Sequence, residues 1–94
     1  ALESGKEILE RILDVYPGNS RARVALAEFF LREGDSRAAV DTAEGVLRDG
    51  PRRYTMDILR AHAVLARAYA RLGKRVQSAF HRRQRALARS HVRV

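Results

Sequence analysis

The chain has 94 residues, a formal net charge of +8 at pH 7 and no cysteine, so it supports one small domain without disulfides, thiolate nucleophiles or cysteine-based zinc sites. No apolar run approaches the ~18 residues that a membrane span needs. Alanine, the best helix former, dominates the apolar residues and only two prolines are present, which predicts an all-α fold.

The first two predicted helices are separated by a Pro-Gly-Asn turn. Apolar residues at helical spacing predict the first helix over residues 3–15. Ser4 and Glu7 form a capping box at its start, in which each side chain satisfies a free backbone N–H. The second helix is predicted over residues 20–33, with Asn19 or the following serine as its cap.

Glycine ends the second and the fourth predicted helices. Gly34 supplies the left-handed residue after the second helix, and Asp35 or Ser36 caps the third, which ends at a Gly-Pro pair. The fourth helix is predicted over residues 55–72. A fifth follows Gly73, and its start lacks a capping side chain because lysine and arginine stand where serine or aspartate would be expected.

The sequence around Gly34 recurs around Gly73. Upstream of each glycine, a Leu-Ala-x2-aromatic sequence stands at the same distance, at residues 26–30 and 65–69. Downstream, small and apolar residues correspond when one extra residue is allowed after the second glycine. The small residues aligned in this way are Ala39 and Ala79. One structural unit is therefore predicted to occur twice.

This repeat resembles the tetratricopeptide repeat (TPR), a 34-residue helix–turn–helix unit. Residues 20–53 fit one full unit, residues 59–92 fit a diverged unit with a capping helix, and residues 3–17 resemble only the second helix of a preceding unit. The resemblance implies one domain over residues 1–94, built as a helical-hairpin solenoid of five antiparallel helices. It also implies a non-enzymatic scaffold for protein–protein interaction.

The alignment predicts how the helices pack. The expected contacts are Leu26 and Phe30 on Ala39 and Ala43, and Leu65 and Tyr69 on Ala79. Arg23 and His62 depart from the pattern, because the family favours tryptophan at both positions. Two and a half units leave apolar surface on the end helices, so a homodimer or flanking repeats of a longer chain are expected. The residues concerned are Ile8, Ile12, Phe80 and Leu87.

The resemblance places a binding groove on the concave face, which the first helix of each unit lines. The peptide-binding residues carried over by alignment are Arg21, Val24, Glu28, Arg32, Arg60, Ala63, Arg67 and Arg71. Guanidinium groups bind carboxylates bidentately, so an acidic peptide or protein partner is expected. The family's carboxylate clamp has lysine and asparagine where Val24 and Glu28 stand, so binding of chaperone tails is not predicted.

The distribution of charge supports an alternative. Residues 1–57 hold nine basic and eleven acidic residues, whereas residues 58–94 hold ten basic and no acidic residues. A basic patch on the last helix could bind nucleic acid or an anionic membrane through Arg82, Arg85, Arg89 and Arg93. The same residues also fit a capping helix that keeps the end of the solenoid in solution, and the groove arginines fit a solvated rim.

No constellation of catalytic or metal-binding residues is found. The histidines, His62, His81 and His91, have no partner at metal-ligand spacing, and the first two are expected at the surface or the edge of the core. No cofactor or small-molecule substrate is expected. The charged amino end is no intact signal peptide, which together with the missing cysteines favours the cytoplasm without establishing it.

Overall fold

The computed structural model describes residues 4–49 and 55–91 and contains no strand in these ranges. Its five helices are α1 (Gly5–Val15), α2 (Ser20–Arg32), α3 (Ser36–Asp49), α4 (Met56–Arg71) and α5 (Arg75–His91). Each helix packs against the next one in the chain, and α2 also contacts α4. The predicted all-α class and the order of five helices are confirmed.

Side chains cap the starts of four helices; caps were predicted for the first three, and the structure adds Thr55 at the fourth. Ser4 Oγ accepts a hydrogen bond from the Glu7 N–H at 3.2 Å, which is one half of the predicted capping box. The other three caps are Asn19 Oδ1 with the Ala22 N–H at 3.0 Å, Asp35 Oδ1 with the Ala38 N–H at 3.1 Å and Thr55 Oγ1 with the Ile58 N–H at 3.2 Å. Each bond satisfies one of the backbone donors that a helix start leaves free.

The two glycine turns have the same geometry. Gly34 and Gly73 have φ angles of +85° and +75°, in the left-handed region that other residues rarely adopt. At each turn the N–H of the residue after glycine donates to the backbone carbonyl oxygen of the aromatic residue five positions earlier. The bonds are Asp35 to Phe30 at 2.9 Å and Lys74 to Tyr69 at 2.8 Å. The sequence repeat is thus also a repeat of backbone structure.

The core lies between α2, α3 and α4. Its largest fully buried side chains are Val24, Val46 and Leu65. Ala39 and Ala43 are fully buried in the same cluster, and Phe30 packs against it. Alanine at these positions lets neighbouring helices approach closely, while the larger side chains fill the remaining space.

The predicted register of α5 is wrong by one residue. Ala79, expected beneath Leu65 and Tyr69, is exposed. Ser78 is buried instead, and its Oγ donates to the Ala66 carbonyl oxygen at 2.7 Å. This serine stands as far from its glycine turn as Ala39 does from the first turn, so no extra residue is present. Serine fits the small-residue position because the backbone carbonyl satisfies its hydroxyl.

Replacement of Ala39 by phenylalanine is expected to lower the free energy of unfolding by ~1–3 kcal/mol, because the added ring overpacks a fully buried position. Chemical denaturation monitored by circular dichroism measures the change. Ala79→Phe is the matched control, since the same substitution at an exposed position of α5 adds no buried volume. Equal stability of Ala39→Phe and the wild type would contradict the assigned packing.

Candidate functional site: an arginine-lined groove

A cavity of 720 Å³ lies between α2, α4 and α5, and we call it the arginine groove. Its floor is apolar and is formed by Leu31, Ala63, Val64, Ala66 and Ala70. Its charged lining consists of Glu28, Arg32, Arg67, Arg82 and Arg85, and Ser78 completes it. The groove thus combines a surface that packs against apolar groups with four guanidinium donors.

Half of the predicted peptide-binding residues line this groove. They are Glu28, Arg32, Ala63 and Arg67. Val24 is 0% exposed in the core, so its side chain is not accessible to a ligand. Arg21 is exposed on α2 but does not line the cavity, and Arg60 and Arg71 are engaged by neighbouring groups of the chain.

Glu28, the one acidic residue in the lining, is paired within the chain. Arg60 donates from Nε to Glu28 Oε2 at 3.1 Å and from Nη2 to Glu28 Oε1. The hydrogen bond that Arg60 donates to Glu28 raises the pKa of Arg60 against the opposing effect of burial. Arg71 Nη1 donates to the Leu31 carbonyl oxygen at 2.6 Å and joins α4 to α2. The negative charge in the groove is therefore already compensated.

Two arginines of the alternative basic patch lie in the same groove. Arg82 and Arg85 line it, whereas Arg89 is exposed elsewhere on α5 and Arg93 lies outside the described residues. Arg85 Nε is buried and has no hydrogen-bond partner within the described ranges. The two predicted sites therefore share one surface, which the sequence alone does not show because the packing of α5 against α4 brings them together.

A buried histidine pair joins α4 to α5. The Nδ1 atoms of His62 and His81 are 2.9 Å apart, and the residues are only 7% and 6% exposed. His81 Nε2 lies 3.8 Å from Glu44 Oε1 on α3, and the Tyr69 hydroxyl donates to the same oxygen at 2.8 Å. Tyr69 also stacks on His81 with 5.6 Å between ring centroids. These two histidines are more deeply buried than the sequence predicted.

The environment of the pair favours uncharged imidazoles. Burial, with a contribution from the neighbouring His81, lowers the pKa of His62 to about 4. Burial also lowers the pKa of His81, although Glu44 opposes the change. Burial and the hydrogen bond with Glu44 raise the pKa of Tyr69 to about 12. At neutral pH one Nδ1–H therefore donates to the Nδ1 lone pair of the other ring.

A family model for the tetratricopeptide repeat matches residues 1–57, more than half of the chain. The chain belongs to the TPR family. No curated protein and no solved structure shows a significant match to it. TPR domains generally mediate protein–protein interactions and are typically non-catalytic scaffolds. Beyond the matched residues, the turn at Gly73 has the hydrogen-bond pattern of the first TPR turn.

Both positions at which this TPR chain lacks the expected tryptophan make polar contacts between helices. Arg23 Nη1 donates to the Gly45 carbonyl oxygen at 3.1 Å and to Asp49 Oδ2 at 3.3 Å, which joins α2 to the end of α3. His62 contacts α5 through His81. Polar links thus replace part of the apolar packing that an aromatic side chain would supply.

The end helices of the TPR array keep apolar side chains at the surface. Ile8 on α1 and Phe80 and Leu87 on α5 are exposed, while Ile12 is half-buried. This is the surface expected of an incomplete array. Dimerisation or extension by flanking repeats stays a prediction.

The described residues contain neither a metal-binding cluster nor a helix suited to cross a membrane. Over residues 4–49 and 55–91, no three or more histidine, aspartate or glutamate side chains are grouped so that they could hold a metal ion. Within the same ranges, every helix is too short or too polar to cross a bilayer.

Proposed function

We propose that this TPR domain is a non-enzymatic interaction module that binds an acidic segment of a partner protein in the arginine groove. The observation that carries the proposal is the convergence of Arg32, Arg67, Arg82 and Arg85 on one cavity whose only acid is already paired. In the described part of the chain, Arg67, Arg82 and Arg85 form no ion pair, so their charges are available to a ligand.

The chemistry of the groove matches a segment that mixes carboxylates with apolar side chains. Guanidinium groups form short, charge-assisted and bidentate hydrogen bonds with carboxylates. The alanine-rich floor offers contact area to apolar side chains, and 720 Å³ lies within the roughly 300–1,000 Å³ of common ligand pockets. A ligand carboxylate that draws the Arg85 guanidinium outward would also give its buried Nε–H an acceptor.

The acid-free second half of the chain would also speed encounter with an acidic partner. Residues 58–94 contain ten basic and no acidic residues. Such a field raises association rates at low ionic strength and is screened as salt is added. Salt dependence alone does not identify the partner, because nucleic acids and anionic lipids respond in the same way.

The competing function is binding of nucleic acid or anionic membrane along α5. It is favoured by the five arginines of this helix, which has no acidic residue. That function would use the exposed Arg83 and Arg89 as well as the two arginines in the groove. The two proposals therefore differ in which arginines of one helix are needed.

Charge reversal at Arg82 and Arg85 separates these functions. Arg82→Glu/Arg85→Glu is compared with Arg83→Glu/Arg89→Glu, a control that changes the net charge equally on the same helix but outside the groove. The probe is a peptide of glutamate and leucine, with a glutamine-and-leucine peptide as its uncharged counterpart. We expect the groove variant to weaken binding of the acidic peptide by at least ~10-fold, since each charge-assisted hydrogen bond contributes ~1.5–3 kcal/mol.

The control variant is expected to keep most of the affinity for the acidic peptide. Equal losses in both variants would reduce the interaction to nonspecific charge attraction and overturn the groove proposal. A single-stranded oligonucleotide and phosphatidylserine vesicles serve as further probes. If they bind tightly and only Arg83→Glu/Arg89→Glu abolishes that binding, α5 is instead a nucleic-acid or membrane surface.

A further inference from the structure

We infer that the His62–His81 pair makes ligand binding in the arginine groove depend on pH, because this pair holds α5 and its two groove arginines against α4. The inference rests on the proposed function for the identity of the ligand. The two histidines are buried and do not line the groove themselves.

Few buried groups attach α5 to the domain. Its buried residues are Ser78, His81 and Ala88, and two of these three are polar. Ser78 is satisfied by the Ala66 carbonyl and His81 by His62. The larger apolar side chains of α5, Val76, Phe80 and Leu87, are exposed. Two of the three buried side chains of α5 thus depend on a hydrogen bond to α4, so the state of the histidine pair contributes to the attachment of this helix.

The first added proton is compatible with the closed structure. It is accommodated on His81, whose Nε2–H then faces Glu44 of α3 while its Nδ1–H donates to a neutral His62. Glu44 also accepts a hydrogen bond from the hydroxyl of Tyr69 on α4. Asp41 of α3 acts on the same tyrosine through its charge.

A second proton is not compatible with the closed structure. It would place two Nδ1–H donors and two positive charges against each other at the observed 2.9 Å, with no acceptor between them. A buried site of low polarity strengthens this repulsion. Separation of α5 from α4 exposes both imidazoles to water and relieves it. The pair is thus closed when neutral and opened by double protonation.

Opening of α5 removes one wall of the groove. Ser78, Arg82 and Arg85 belong to this helix and line the cavity, and Arg82 is adjacent in sequence to His81. A ligand that contacts these arginines binds the closed state more tightly than the open one. Protonation, which favours the open state, therefore opposes the ligand by thermodynamic linkage.

The direction of the titration agrees with this geometry. Burial holds the pKa of His62 at about 4, against 6.5 for an imidazole in water. Well above pH 6.5 the imidazole of His62 is neutral in both the closed and the open state, so pH does not favour opening. Below pH 6.5, the open state gains protons first, so at pH 5 the ratio of open to closed rises ~30-fold through His62 alone. Below about pH 4 His62 is protonated in both states, so the ratio of open to closed no longer rises through this group.

Binding is measured at pH 7.5 and pH 5 with a peptide whose acidic positions are cysteic acid, because sulfonates remain ionised over this range. The variant His62→Gln/His81→Gln keeps two side chains that can hydrogen-bond but removes both titrating groups. His91→Gln removes an exposed histidine at the end of the same helix and is the matched control. The inference requires that the open form predominates at pH 5. The wild type and His91→Gln are then expected to lose affinity by up to ~30-fold, while the double variant changes little.

A wild type that keeps its affinity at pH 5, or a double variant that loses it equally, overturns the inference. If neither the wild type nor either variant binds the peptide at pH 7.5, the proposed function is overturned instead. In that case, amide hydrogen exchange of the wild type without ligand still tests whether α5 opens as the pH falls. Protection of α5 relative to α2 is expected to fall ~30-fold from pH 7.5 to pH 5, after correction for intrinsic exchange rates. An unchanged ratio contradicts the switch, even if the double variant does not fold.

Discussion

Truncation of Leu65 to alanine is expected to lower the free energy of unfolding by roughly 2–5 kcal/mol. Leu65 on α4 is 0% exposed and belongs to the core cluster that α2, α3 and α4 share. The substitution removes buried apolar atoms and leaves a cavity that the surrounding helices fill only in part. Single domains are stable by only ~5–15 kcal/mol, so this loss is a large fraction of the total.

Urea denaturation of wild type, Leu65→Ala and Leu87→Ala tests this prediction. Leu87 is 46% exposed on α5, so the same truncation there removes much less buried area. Its expected cost is below ~1 kcal/mol. Similar losses for the two variants would contradict the assignment of Leu65 to the centre of the core and Leu87 to the surface.

Acidification from pH 6.5 to pH 4 is expected to lower the free energy of unfolding by about 3 kcal/mol through His62. Its pKa is about 4 in the folded chain, below the 6.5 of an unburied imidazole. Between these values the unfolded chain binds a proton that the folded chain does not, so stability falls as pH falls. The full contribution is present above pH 6.5, and no more is lost through this group below pH 4. One pKa unit corresponds to ~1.36 kcal/mol.

The contribution of His62 is isolated by its replacement with glutamine. Unfolding free energies of wild type and His62→Gln are measured by urea denaturation at pH 7 and pH 5, where carboxylates contribute less than at pH 4. The wild type is expected to lose ~2 kcal/mol more than the variant over this interval. His91→Gln should lose as much as the wild type, because His91 is exposed. Equal losses in wild type and His62→Gln would contradict the buried, uncharged state of His62.

Local sequence predicted local structure well. The sequence predicts caps at Ser4, at Asn19 or Ser20, and at Asp35 or Ser36. In the structure Ser4, Asn19 and Asp35 each accept a hydrogen bond from the backbone N–H three residues later. Gly34 and Gly73 were assigned to helix ends, where both have positive φ. These features depend on residues within a few positions of each other, so the sequence contains the whole interaction. The repeat could be predicted because the same glycine turn occurs twice in the sequence.

Features that depend on packing between helices were predicted less well. The sequence favoured Ala79 because it matches Ala39 in type, but Ser78 is the buried residue. A shift of one residue turns a helix face by ~100°, so the error also changed which side chains of α5 face α4. The pairing of His62 with His81 was missed because the two are 19 positions apart on separate helices.

The groove was predicted only in part, for the same reason. Alignment to the repeat identified Arg32 and Arg67 on the first helices of the two units. It placed Arg82 and Arg85 in a separate patch, although the rotation of α5 brings them to the same cavity. The sequence also does not predict the pairing of Glu28 with Arg60, because that pairing depends on how closely α2 and α4 pack.

A titration followed by amide chemical shifts locates the bound ligand most directly. The ¹⁵N-labelled chain is titrated with the glutamate-and-leucine peptide at pH 7.5. We expect the largest shifts at residues that line the groove, with Ala63, Arg67, Arg82 and Arg85 among them. Largest shifts at Arg83 and Arg89, or on α1, with the groove residues unchanged, would contradict this expectation.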